Sequence, residues 1–346
     1  MRLRGVLLGA GNIALRGHAP QWAGALRGQV EIVAVADLSS TNREAAQAIF
    51  PRARLYESAE DALNTETPDF VDICTPPFTH RDLIAKAASR GIHIVCEKPL
   101  APSLEEALRI ADGVRRARVV FQPCHQYNYS PPWQVVRDLA PRLGAIHFAE
   151  YTVRRMAANE GNAHWAPEWR TRANLAGGGI LVDHGAHILY QLRSVMGEPR
   201  SVNATIRTLL HHRYGVEDTA LLTLDHGTAL AELSLTWAAK RREIAFRFVG
   251  EHGELVGDEE KIQLLVETTE EIPLGGMSKN SSHSEWFAPM FSEFVARVLR
   301  SDLDPAPLDE SLYVARVIER AYASSRAGRA LPIEHKPATA LAGGVH

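Results

Sequence analysis

Apolar residues in this chain occur first in short unbroken runs and later in alternation, and the two patterns predict two kinds of sheet. Val6-Leu7-Leu8, Val30 to Ala36, Phe70 to Cys74, Ile92 to Cys96 and Val119 to Gln122 are apolar stretches of strand length. Strands covered on both faces read in this way. Helical stretches separate them: Thr41 to Ile49, Ser58 to Leu63, a segment from Thr79 to near Gly91, and a helix through Val114. The last opens with Ser103 and carries Glu106 three residues on, the spacing of a capping box. Strand and helix alternate, so a parallel, doubly wound sheet with right-handed crossovers is predicted.

After Asn128 the pattern changes. Pro131-Pro132 opens a helix through Leu139, and Ile146 to Tyr151 begins a long strand. Strands are then predicted over Val202 to Leu209, Asp218 to Leu224, Ala229 to Trp237, Glu243 to Val249, Gly253 to Val256 and Ile262 to Val266. No helical stretch intervenes, and turns such as Asp225-His226-Gly227 join some of them, which predicts a mostly antiparallel sheet. Leu230, Leu233, Leu235 and Trp237 give it apolar surface for helices and for another subunit to cover. Two helices, Phe287 to Leu299 and Leu308 to Ser325, close the ordered pattern. From His335 the chain turns to Ala, Gly, Pro and Thr and reads as disordered.

Composition adds exclusions. At 346 residues two domains are expected, and 45% apolar with 23% charged residues is ordinary for a globular protein. A net charge of -3 gives no signature of nucleic-acid binding. No apolar window reaches membrane-spanning length. The apolar start, Gly5 to Gly9, is only a strand long and leads into a glycine loop, unlike a secretory signal. Three cysteines without regular spacing argue against a disulfide framework and for a reducing, cytoplasmic setting.

The candidate chemistry lies at strand ends. Gly9-Ala10-Gly11-Asn12-Ile13-Ala14 is a G-x-G-x-x-A turn directly after the first strand. Gly9 makes the tight turn, Gly11 lets backbone N–H groups approach a pyrophosphate, and Ala14 permits close helix packing, the dinucleotide-binding arrangement of a Rossmann domain. Pro20 keeps the following helix short or kinked. Asp37 ends the second strand, placed to accept hydrogen bonds from an adenosine ribose or else to cap a helix. Leu38-Ser39-Ser40 follow it without an arginine, which favours NAD over NADP, although Arg43 is near enough to serve a 2′-phosphate. Thr75-Pro76-Pro77 stiffens a strand end as a wall against a flat ring. His80, at a helix start, reads as structural. Lys98 follows the Ile92 to Cys96 run, where a strand leaves the sheet and open α/β sheets place ligands.

Cys74, Cys96 and Cys124 each end a strand, but with His125 they match no zinc spacing, so no metal site is predicted. Farther on, Gly177-Gly178-Gly179 precedes a helix on which Asp183 and His187 are i,i+4 neighbours. A carboxylate there would orient the imidazole and favour its protonated form, as a general base needs.

With these motifs the chain resembles the Gfo/Idh/MocA group, the glucose–fructose oxidoreductases and inositol dehydrogenases. The resemblance rests on the Gly9 turn, Thr75-Pro76 with His80, Glu97-Lys98-Pro99, Gly177-Gly178-Gly179, Asp183-His184-Gly185-Ala186-His187 and Ser325-Arg326-Ala327-Gly328-Arg329. It implies an α/β Rossmann domain, residues 1–125, joined to an α+β domain with a large, mostly antiparallel open sheet, residues 126–333. The tail, 334–346, is expected to be disordered. It also implies an NAD(P)-dependent oxidoreductase passing a hydride between a sugar or cyclitol and the nicotinamide, as a homodimer or homotetramer.

Carried over residue by residue, Lys98 would hydrogen-bond the reacting hydroxyl, His187 would take its proton, and Asp183 would orient the substrate. Gly9, Gly11, Asn12, Ile13, Asp37, Thr75, Pro76, His80, Glu97 and Lys98 would hold the cofactor. Tyr127, Trp169 and Arg170, with Lys98, Asp183 and His187, would hold the substrate. Gln126 to Pro131 lacks the arginines many relatives carry there, which favours a neutral polyol, while Arg170 and Arg172 would suit an anionic one. Two other readings follow from the resemblance: a glycoside-cleaving enzyme that oxidises a sugar carbon transiently with bound NAD, and a non-catalytic nucleotide sensor. The intact Lys98, Asp183 and His187 argue against the sensor.

Overall fold

A computed structural model describes residues 2–161, 163–274 and 282–334. The expected tail lies outside the described residues from 335 onward.

The first half is a six-stranded, all-parallel sheet. Its strands are β1 (Leu3–Leu8), β2 (Val30–Ala36), β3 (Arg54–Tyr56), β4 (Phe70–Ile73), β5 (His93–Cys96) and β6 (Phe121–Pro123), in the order β3-β2-β1-β4-β5-β6. The order reverses between β1 and β4, which opens a crevice at their carboxyl ends. The unbroken runs fall where predicted, since Val6, Leu7, Leu8, Phe70, Val71, Ile94 and Val95 are fully buried. β3 escaped prediction because an edge strand with one neighbour needs no apolar run, and Arg54-Leu55-Tyr56 has none.

Helices α1 (Ala19–Ala23), α2 (Ser40–Ile49), α3 (Ala59–Thr65), α4 (His80–Ala88) and α5 (Leu104–Ala117) connect these strands. A π-helical turn, Ala14–His18, precedes α1, whose Pro20 sits in the first turn where its missing N–H costs nothing. The Oγ of Ser103 accepts a hydrogen bond from the backbone N–H of Glu106 at the start of α5.

The second half begins with α6 (Pro131–Leu139) and adds α7 (Ala173–Ala176), α8 (Ala186–Met196), α9 (Phe287–Arg300) and α10 (Ala306–Ala327). Its strands are β7 (Ile146–Arg154), β8 (Ser201–Arg207), β9 (Thr219–Asp225), β10 (Leu230–Thr236), β11 (Glu243–Gly250), β12 (Gly253–Asp258), β13 (Lys261–Leu265), β14 (Thr269–Pro273) and β15 (Leu331–Pro332). They form a nine-stranded sheet, β14-β13-β12-β11-β7-β10-β9-β8-β15. Only β7 and β10 pair in parallel; the other neighbours are antiparallel. Alternation along β8, β9 and β10 buries one face, including Leu233, Leu235 and Trp237, and leaves Leu230 and Leu221 on the other.

The boundary expected at 125/126 separates the two sheets but not their cores. Phe287, Met290, Phe291 and Phe294 of α9 pack into the first half, where Phe291 stacks on Trp22 at 3.9 Å and Phe294 meets Phe70 edge-on. α10 sends Leu308 and Leu312 into the first half, and Val314, Val317, Ile318 and Ala321 into the second. Each ring so buried stabilises the fold by about 1.5–3 kcal/mol.

Candidate active site

The crevice at the β1/β4 reversal opens into a cavity of about 470 Å³, lined from both halves. On the first side lies the glycine turn. Gly9 has φ +89°, and a Cβ there would press on the backbone of Cys74 and Thr75, so glycine is required. A Cβ on Gly11 would meet nothing within 4 Å; its open face is turned to the cavity and leaves room for a pyrophosphate against the backbone. The Asp37 carboxylate accepts from Ala10 N at 2.7 Å, Ser39 N at 2.8 Å and Asn42 Nδ2 at 3.2 Å, pinning the turn to the end of β2. Ser39, not Asp37, caps α2. Arg43 donates to the carbonyls of Asp37 and Leu38, which ties its guanidinium to the chain.

Thr75 and Pro76 form one wall, stiffened by a 2.6 Å hydrogen bond between the hydroxyls of Thr75 and Thr79. His80 does not reach the cavity. It is fully buried between the carbonyls of Thr75 (2.8 Å) and Leu100 (3.2 Å), so it fixes the loop behind the wall. Gly9 likewise lies behind the wall. Gly11, Asn12, Ile13, Asp37, Thr75, Pro76, Glu97 and Lys98 stand on it from the first half, and Tyr127, Trp169, Arg170, Asp183 and His187 from the second. These donors, the open glycine and the anionic end of β2 fit a dinucleotide laid across the switch point.

The Lys98 ammonium donates to Asp183 O at 2.8 Å and to Asp183 Oδ1 at 3.1 Å. Asp183 lies in a π-helical turn, Leu181–Gly185, that leads into α8. Burial opposes its ionisation, but Lys98, then His184 and Arg170, hold its carboxyl well below the usual carboxylate range. His184 Nδ1 lies 3.3 Å from Oδ2, and Arg170 Nε lies 4.0 Å from Oδ1. The Arg170 guanidinium sits over the Trp169 ring at 4.4 Å. Arg172 instead pairs with Glu168 on the surface.

The expected pairing of Asp183 with His187 is not formed. An ammonium is a stronger partner for a carboxylate than a neutral imidazole, and the carboxylate turns to it. His187 Nδ1 is bonded instead to Tyr190 Oη at 2.6 Å, and its ring stacks on Tyr127 at 4.0 Å. Burial foremost, then Lys98, pushes the His187 imidazole well below its ordinary value, the opposite of the protonated form expected. Burial likewise lowers His184 to about 4.

Three supports were not foreseen. The Glu217 carboxylate accepts from Gly179 N, Leu181 N and Tyr322 Oη, and so holds the glycine triplet to the π turn. A Cβ on Gly179 would lie 1.9 Å from the Glu217 carbonyl, so that glycine is obligatory. Phe78 and Trp165 meet across the cavity mouth with centroids 6.4 Å apart. The third is His18. Cys74 and Cys124 gather around its ring, while His125, their expected companion, pairs with Glu310. His18 is shared by two sets of three metal-ligand types, with Asp72 and Cys74 and with Glu97 and Cys124. Both its nitrogens are bonded to carboxylates, and burial pushes the thiols up, so the sets are closed as hydrogen-bonded groups. An acid inside the apolar run Phe70 to Cys74 was the one sequence signal for this cluster, because a buried charge needs a partner.

Comparison with known proteins bears on this site. The family described as "Oxidoreductase family, NAD-binding Rossmann fold" matches residues 3–125, and the "GFO/IDH/MocA C-terminal domain" matches 139–256. D-glucoside 3-dehydrogenase of Escherichia coli is 28% identical over 275 residues, 74% of this chain and 76% of that enzyme. D-apiose dehydrogenase of Paraburkholderia graminis is 31% identical over 67% of this chain and 60% of its own length. A levoglucosan dehydrogenase in complex with NADH and levoglucosan superposes with a TM-score of 0.84 at 19% identity, covering 97% of this chain and all of that one; at that identity the likeness is one of fold.

Proposed function

The chain belongs to the Gfo/Idh/MocA family of NAD-binding oxidoreductases, and from that premise we propose that it oxidises a secondary hydroxyl of a neutral sugar or cyclitol, or reduces the matching ketone. The observation that carries this reading is that Lys98, from the end of β5, and His187, from α8, line one cavity with the glycine turn.

Bound in the cavity, NAD supplies the hydride acceptor. The protein moves the proton and steadies the charge. An ammonium has three donors, and Asp183 takes two from Lys98, which leaves one for the substrate oxygen. That donor stabilises the alkoxide that develops as the hydroxyl proton leaves. The low basicity of His187 keeps it neutral at working pH, ready to accept the proton on Nε2. The Tyr190 hydroxyl accepts from Nδ1–H in both directions: Nε2 takes the alcohol proton in oxidation, which leaves an imidazolium, and returns it in reduction. Asp183 keeps Lys98 in place, and Tyr127, Trp169 and Trp165 supply flat faces of the kind sugars stack on.

A panel of free polyols, cyclitols and glycosides tests the reading by absorbance of reduced nicotinamide. Net NADH formation on free polyols is expected; glycoside cleavage without net NADH would move the enzyme to the transient-oxidation class. In the oxidative direction kcat/KM should fall on the acid side with a midpoint below 6.5, because His187 must be neutral and its imidazole is lowered. A midpoint above 6.5 would count against His187 as the base.

Asp37 supports NAD over NADP, since its carboxylate would repel a 2′-phosphate and Arg43 is tied back. Asp37→Ala should weaken NAD ~10- to 100-fold, the worth of one charge-assisted hydrogen bond, with a smaller effect on NADP. Titration of cofactor fluorescence reads both, and equal affinity of the unmodified protein for NAD and NADP would reject the role. Three buried free thiols support a reducing, cytoplasmic setting. Leu221 and Leu230, exposed on the open face of the large sheet, support self-association.

A further inference from the structure

We propose that His18 is a positioning residue for Lys98: as an imidazolium bridging Asp72 and Glu97, it holds the Glu97 carboxylate on the lysine's main chain and away from its ammonium. The proposal rests on the reading of Lys98 given above.

His18 ends the π turn that follows the glycine loop and is fully buried. Nδ1 lies 3.0 Å from each Asp72 carboxylate oxygen, and Nε2 lies 2.9 Å from Glu97 Oε1. A neutral imidazole can donate from one nitrogen only and would set a lone pair against the other carboxylate. With both acids ionised, only the doubly protonated ring satisfies both sides. Trp22 Nε1 donates to Asp72 Oδ2 at 2.7 Å, which leaves that acid a second partner. Glu97 has none comparable on Oε1. Its Oε2 accepts from the Lys98 backbone N–H at 3.0 Å. Glu97 is 6% exposed and stands on the cavity wall beside Lys98. The chain of contacts thus runs from the helix behind the cofactor turn, through one acid, to the residue proposed to hold the alcohol.

Removing the imidazolium would leave a buried carboxylate without its counter-charge. The next residue, Lys98, carries an ammonium that could replace it. Glu97 would then compete with Asp183 and the alcohol for the same donors, and only while ionised. The titratable groups facing this cluster are Asp72 and Cys74 from the end of β4, Cys96 and Lys98 from β5, and Cys124 from β6. His80 and Tyr190 feel Glu97 from farther off. The α1 and α9 helices present only the rings of Trp22, Phe287 and Phe291. Burial keeps the three thiols protonated, so none of them supplies a competing negative charge.

The test is a cycle of His18→Gln, Glu97→Gln and the double variant, read in kcat and in the affinity for NAD. His18→Gln should lose ~10-fold or more in kcat, because the Glu97 carboxylate then draws on the Lys98 ammonium. The double variant should escape the added loss and match Glu97→Gln in kcat. A double variant no better than His18→Gln would overturn the proposal. Should His18→Gln fail to fold, the unsubstituted protein without cofactor or substrate still decides: nitrogen-15 spectra of labelled histidine should show one ring protonated at both nitrogens at about pH 8.5, far above the ordinary value. A ring that titrates normally would reject the bridge. Those spectra do not depend on turnover, so a failed substrate panel and a failed bridge are separate results.

Discussion

Lys98→Met should lower kcat by at least ~10²-fold while the affinity for NAD changes by less than ~3-fold, the size of effect seen when one polar contact made in a transition state is removed. Methionine keeps the length and apolar stem of lysine and deletes only the donors. The Asp183 carboxylate would keep His184 at 3.3 Å and Arg170 at 4.0 Å, so the turn should stay folded. Stability should still drop, by about 1–3 kcal/mol, for the lost charge-assisted bond. Because the folded Asp183 carboxyl is depressed, its contribution is present above the unfolded value and lost as pH falls through the folded one. The stability gap between the variant and the parent should therefore be widest near neutrality and narrow in acid, as thermal unfolding across pH would read. Unchanged turnover would remove Lys98 from the chemistry.

His187→Gln should cost ~10²- to 10⁴-fold in kcat, the range for loss of a positioned general base. Glutamine can still bond the Tyr190 hydroxyl and stack beneath Tyr127, but it cannot take a proton. The acid limb of kcat/KM should vanish with the histidine. A variant that keeps that limb would transfer the proton to another group, and His184, with its imidazole lowered to about 4, is the nearest alternative.

The sequence disclosed the frame of the site more readily than its wiring. Unbroken apolar runs betrayed β1, β2, β4 and β5, because a strand covered on both faces has no polar side to show. The glycine turn was legible since each position answers to a local steric demand. Lys98 was legible because it stands just past the end of a strand, with one residue between. The partners of each charge were not. Asp183 and His187 are four residues apart, and that spacing suggested a pair; the outcome depended on Lys98, 85 residues away in sequence. His18 and Glu97 are 79 residues apart and meet only because β1 and β5 end at the same edge of the sheet. Glu217 gave no sign of its role, because its three donors come from backbone and from the last long helix. His80 shows the converse: a motif position that suggested contact with cofactor serves the loop behind it.

The crossing-over of α9 and α10 has a practical consequence for anyone who would borrow the nucleotide-binding half. Cutting the gene after the sixth strand would strip the cover from Trp22 and Phe70 and expose them to water. A fragment of residues 2–125 should precipitate, whereas the same fragment tethered to residues 282–327 by a flexible spacer should refold into a soluble module. The half that holds the glycine turn is thus assembled from two stretches of chain, with strands β7 to β14 lying between them in sequence.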